Sequence, residues 1–164
     1  PKPKLKQVWD VIFRVGAKHG LLPIGFGARD TLRLEAAMPL YGHELTDEIT
    51  PLEADLEWAI DLTKEEFPGN AILKEQQKAG ILKKRVGFEM TGRGIPRQGF
   101  EIQKDGKTIG TVTSGSFIPT TGKNIGMAYV LAAEAKTGNT IDVLVRGKPI
   151  QAVLVSLPFY RRKV

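Results

Sequence analysis

Along the first fifteen residues the apolar positions recur at helical spacing. Leu5, Val8, Trp9, Ile12 and Phe13 share one side of a helix predicted over residues 4–15. "GAKHG" then supplies glycines suited to a left-handed cap. Residues 28–37 are rich in strong helix formers and predict a second helix, with Leu32, Ala36 and, on the adjacent row, Ala28 turned inward, and with Pro39 ending the run. Thr50, Pro51 and Glu53 form a helix-start signal, a capping box with proline at the first helical position. Trp58, Ile60 and Leu62 alternate with Ala59 and Asp61 at the period of a short strand. "FPGNAILKEQQKAG" reads as a further short helix that ends at Gly80.

Beyond Leu82 the period changes. "RVGFEM", "GFEIQKDGKTIGTVTSGSF", "IGMAYV" and "TIDVLVRGKPIQAVLVSLPF" are short β-branched runs separated by turns. Asp105-Gly106 is a two-residue hairpin signal, and Arg146-Gly147-Lys148 marks another turn. About six strands in roughly eighty residues predict a small antiparallel barrel or sandwich, which removes or shields its edges. The expected fold is α+β: a helical and mixed region over 1–80, then a small antiparallel β-barrel over 81–164. The front region poses a difficulty, because its helices must bury apolar faces and it offers little strand to pack against. The sequence therefore predicts either a dimer formed through those faces or a piece of a larger protein.

Charge sharpens the division. The formal net charge of +6 is the sum of +4 in residues 1–20, −7 in 21–80 and +9 in 81–164. The basic end reads first as a solvated surface and second as a surface for an anionic partner. Nucleic acid is disfavoured, because the Lys and Arg residues are dispersed and no RNA-binding signature is present. The absence of cysteine excludes disulfides, thiolate catalysis and cysteine-ligated zinc. His19 and His43 have no metal-ligand spacing, so no metal is expected. No apolar run approaches the length of a membrane span and the first residues lack a signal-peptide core, so the chain reads as soluble.

Several chemical signals are weak. Gly25-x-Gly27 is not a dinucleotide fingerprint, because no strand and no third glycine in register accompany it. Ser114, Ser116 and the threonines of "TVTSGSFIPTTGK" have no histidine nearby in sequence, and they read as a loop shaping the barrel rim. His43 reads as a surface or helix-end residue, and Asp47-Glu48 as a solvated pair. Arg29 can pair with Asp30 or Glu35. Arg33, one turn on, is a like charge beside Arg29 that needs an anion or carboxylate near it.

A set of longer blocks is more specific. "PIGFGARDTLRLEAAMPLYGHEL", "TPLEADLEWAI", "RVGFEM", "GIPRQGFEI", "GTVTSGSFIPTTGKNIGMAYV" and "PFYRRK", in this order, resemble the C-terminal part of the aminomethyltransferase, or T-protein, family of the glycine cleavage system. Folate-dependent dehydrogenases for sarcosine and dimethylglycine share the blocks more loosely. The resemblance implies a three-domain cloverleaf with folate in its central hole and a jelly-roll-like β-barrel as the third domain. It implies transfer of a one-carbon unit from an aminomethyl-lipoyl H-protein to tetrahydrofolate, with release of ammonia. It also implies a missing N-terminal portion that carries the family's key aspartate, so the chain alone is expected to be inactive.

By the same resemblance, Arg29, Trp58 and Arg85 match folate-contacting positions, and Tyr160 and Arg161 match tail residues that touch the ligand. The chemistry is compatible: a flat pterin calls for stacking and hydrogen bonds, and a glutamate tail calls for arginine. Without the family, Trp58 reads as a core residue and Arg85 as a solvated charge on an edge strand. The alternative reading of the whole chain is a noncatalytic basic β-barrel module that binds an acidic protein or RNA.

Overall fold

The computed structural model describes residues 2–161. Among the described residues three α-helices, α1 (Leu5–Gly16), α2 (Phe26–Glu35) and α3 (Asn70–Ala79), precede six strands. These are β1 (Lys83–Met90), β2 (Glu101–Lys104), β3 (Lys107–Ile118), β4 (Lys123–Leu131), β5 (Thr140–Val145) and β6 (Lys148–Val155). By internal contacts the chain divides within α2, into a unit that ends at Asp30 and a unit that begins at Thr31.

In the first unit the predicted amphipathic helix forms, and Gly20 takes a left-handed conformation (φ 73°) just beyond it. No residue of α1 is buried, and Leu5, Val8, Trp9 and Ile12 are 69%, 53%, 54% and 52% exposed. The Trp9 and Phe13 rings pack on each other with centroids 4.6 Å apart, a local contact that shields little of either.

In the second unit the strands close into an antiparallel barrel in the order β1-β4-β3-β2-β5-β6. Closure is made by β1 on β6, from Gly87 opposite Val155 to Met90 opposite Ala152. Both hairpin turns form where the sequence places them. Asp105 and Gly106 have φ of 50° and 74°, and Arg146 and Gly147 have 53° and 79°, the doubly left-handed pattern whose twist matches that of the flanking strands. The barrel interior holds Phe88, Ile102, Val112, Val130, Ile141, Val143 and Leu154, each such side chain contributing about 1.5–3 kcal/mol on burial. A second, smaller cluster of Leu34, Ala37, Ile118, Ile125 and Met127 ties the end of α2 to the barrel, and Leu157 and Phe159 of the tail pack against it. Gly87 leaves room for that tail: a Cβ there would lie 2.3 Å from Leu157 Cδ2 and 3.0 Å from Phe159.

Three local expectations are corrected. Residues 58–62 are not a strand: Glu57–Ala59 is a 3₁₀ turn followed by irregular chain, because a closed barrel offers no free edge for a further strand to join. The capping box forms, with the Thr50 N–H donating to Glu53 Oε2 (2.9 Å) and the Glu53 N–H to Thr50 Oγ1 (3.3 Å), but a left-handed Asp55 (φ 58°) stops the turns before a helix develops. On α2 and its end the expected inward residues are turned out: Ala28 and Ala36 are exposed and Leu32 is 55% exposed, whereas Arg33, Leu34 and Glu35 are buried. The buried stripe of this helix is partly charged, which apolar periodicity does not register.

Candidate functional site

Within the second unit Trp58 and Arg85 line one cleft of about 350 Å³, whose other walls include residues 36–39, Asp55, Leu56 and residues 157–158. The two side chains play different parts. Trp58 is 84% exposed, held on the 3₁₀ turn by the Ala59 N–H to Leu56 O (3.0 Å) and Ile60 N–H to Glu57 O (3.0 Å) bonds. The indole is therefore not part of the core of this unit. Arg85 is the reverse: it is 5% exposed, so the expectation of a solvated edge-strand charge is corrected. Its place in β1 turns it toward residues 36–39, and its Nη1 donates to the Ala37 carbonyl at 2.8 Å. Ala37 is itself left-handed (φ 54°), so Arg85 holds a wall with an uncommon backbone.

The Arg85 Nε is buried without a hydrogen-bond partner among the described residues. Burial pushes the Arg85 pKa down from its ordinary value, and the Asp55 carboxylate is the chief opposing influence. Asp55 in turn pairs with Lys84 at 3.1 Å.

Behind this cleft lies a buried polar network that sequence reading did not assemble. Arg33 Nη1 donates to Glu44 Oε2 at 3.3 Å and Arg33 Nη2 to Ser114 Oγ at 3.0 Å. The same Glu44 oxygen accepts from the Leu40 N–H (3.0 Å), and the Glu44 carbonyl accepts from Tyr129 Oη (2.8 Å). Burial raises the Tyr129 pKa, so the phenol stays a donor. A bulge in β3 between Val112 and Ser114 makes the arrangement possible. It turns Ser114 to Arg33 and leaves the Thr113 carbonyl for His43 Nδ1 at 2.9 Å. Ser114 is thus a buried strand residue and not part of a rim loop, and His43 is half-buried in a tertiary contact. The carboxylate that Arg33 required is Glu44, eleven positions on and in no periodic relation to it.

Arg29 is exposed on α2, in the unit that ends at Asp30. Tyr160 is 51% exposed and anchored through its N–H to Glu35 O (3.0 Å), and Arg161 is exposed beyond it. Neither lines the Trp58–Arg85 cleft, although residues 157–158 of the same tail do.

Residues 83–161 match the glycine cleavage T-protein C-terminal barrel domain, and residues 1–64 match the GCVT N-terminal domain. The chain is 49% identical to an aminomethyltransferase of Desulforamulus reducens over 164 residues, covering 100% of this chain and 45% of the relative. It is 46% identical to an aminomethyltransferase of Bacillus subtilis over 157 residues, covering 95% of this chain and 43% of the relative. The crystal structure of glycine cleavage system aminomethyltransferase T from Bartonella henselae superposes with a TM-score of 0.80 at 36% identity, over 84% of this chain and 39% of that one. The chain therefore spans less than half the length of these relatives.

Proposed function

Because this chain belongs to the glycine cleavage T-protein family, we propose that it forms the folate-side part of an aminomethyltransferase. The complete enzyme takes an aminomethyl group from the lipoyl arm of H-protein and passes the one-carbon unit to tetrahydrofolate, releasing ammonia. The observation that carries the reading is the exposed indole of Trp58 at a cleft whose wall Arg85 holds through Ala37. Tetrahydrofolate supplies the nitrogens that accept the one-carbon unit; this chain's residues bind and orient. Trp58 offers its face to a flat ring and Arg85 holds the wall beside it; separately, by the family resemblance, Arg29 offers a guanidinium to a carboxylate. No group here is assigned to proton transfer. The upstream portion of the enzyme supplies that chemistry and covers the apolar side of α1, which supports the expectation that the chain alone is inactive.

The test is tetrahydrofolate binding by the full-length enzyme. Trp58→Ala is expected to raise the dissociation constant roughly two- to tenfold, the worth of one stacked ring. Arg29→Ala is expected to raise it roughly tenfold or more, since a charged hydrogen bond contributes about 1.5–3 kcal/mol. Unchanged constants in both variants, measured by fluorescence titration, refute the assignment of these two residues to folate.

A further inference from the structure

Gly87 lies in the middle of β1 with a φ outside the left-handed region, so its backbone does not ask for glycine. The missing side chain is what matters. Val86 and Phe88 fill the barrel interior, so by strand alternation Arg85 and Gly87 share the outer face of β1. On that face a Cβ at Gly87 would strike the Leu157 side chain and Phe159 Cζ. The tail after β6 is thus laid on bare backbone. It is held at a second point, where the Tyr160 N–H donates to the Glu35 carbonyl at 3.0 Å. Glu35 is buried, and its Oε1 accepts from the Thr120 hydroxyl. The stretch so fixed includes Leu157 and Pro158, which wall the Trp58–Arg85 cleft. The outer face of β1 therefore builds two sides of that cleft: Arg85 holds residues 36–39 through the Ala37 carbonyl, and Gly87 receives the tail.

We propose that Gly87 is a positioning residue for tetrahydrofolate: by seating the tail it sets the width of the cleft beside Trp58, although it touches no ligand itself. The inference rests on the functional reading above and adds a residue that acts on binding only through the tail. Glycine inside a strand weakens the strand and marks a place where another segment comes close. Here that segment is the cleft wall. A side chain at position 87 suits extended backbone, β-branched ones best, so its cost falls on the tail and not on the conformation of β1. A wall pushed away leaves the cleft less preorganised, and binding weakens for that reason.

The experiment uses the full-length enzyme and compares the wild type, Gly87→Val, a form truncated after Ser156, and the two changes combined. The tetrahydrofolate dissociation constant is expected to rise roughly tenfold in Gly87→Val and at least as much in the truncated form, since both release a preorganised wall. The combined form should differ from the truncated one by less than about twofold, because a residue that acts through the tail has no further effect once the tail is gone. Amide hydrogen exchange follows the tail directly. In Gly87→Val the Tyr160 amide should exchange faster while the β1–β4 ladder keeps its protection. If valine opens that ladder, Gly87→Ala, whose single Cβ still meets Leu157, takes its place in the comparison. An unmoved dissociation constant, an unmoved Tyr160 amide, or effects of the two changes that multiply each overturn the positioning role and leave the functional reading standing. A wild-type enzyme that does not bind tetrahydrofolate overturns both.

Discussion

Glu44→Ala is expected to destabilise the unit that begins at Thr31 by about 3–5 kcal/mol, the usual cost of breaking a buried ion pair from one side. Glu44 is 0% exposed and Arg33 9% exposed, so neither charge can turn to water when the other is removed. The carboxylate does more than face a guanidinium. Its Oε2 also receives the Leu40 N–H at 3.0 Å, so alanine leaves a half-buried backbone donor without its acceptor as well. Glu44→Gln keeps a carbonyl oxygen for Leu40 and is expected to cost less, on the order of 1–3 kcal/mol. Urea denaturation checks both variants. A loss below roughly 1 kcal/mol for alanine, in the range of exposed pairs, refutes the idea that this pair anchors the 33–44 segment to the barrel.

That network also marks where sequence reading stops. The barrel was legible because its signals are local: β-branched runs, Asp105-Gly106 and Arg146-Gly147 each dictate a conformation within a few residues. The helices at 5–16 and 70–79 were legible for the same reason. The fate of Trp58, Ile60 and Leu62 was not, because alternation states only that a strand is permitted, and the barrel, by closing on itself, withholds the partner. The inward face of α2 was misassigned because apolar periodicity counts Arg33 and Glu35 as solvent-facing. Their burial depends on Glu44, Ser114 and Thr120, partners supplied by a distant turn, the β3 bulge and the segment after β3. Of the site, residue types were legible from the family blocks, but burial was not. Trp58 read as core and is bare; Arg85 read as solvated and is buried. Both inversions arise because residues 36–39 fold over β1 beside the 3₁₀ turn, an arrangement without a sequence period.

The barrel interior sets a second large effect, in which two positions must be changed together to be understood. Phe88 is 0% exposed, and Phe88→Ala is expected to cost about 3–5 kcal/mol, part lost burial and part cavity. Gly126 on the neighbouring strand is glycine because that ring occupies the place of a side chain. An added Cβ would lie 2.4 Å from Phe88 Cζ and 2.8 Å from Ser114 O. Gly126→Ala alone is therefore expected to cost about 1–3 kcal/mol through overpacking. In the double variant the new methyl enters space the ring has vacated, which removes the clash with Phe88 and fills part of the cavity. The double change should then cost less than the sum of the single ones by about 1 kcal/mol or more. Denaturation midpoints for the wild type, both single variants and the double variant measure this directly. If the two costs add to within roughly 0.5 kcal/mol, the strands move apart to admit the methyl, and Gly126 is not the seat of Phe88.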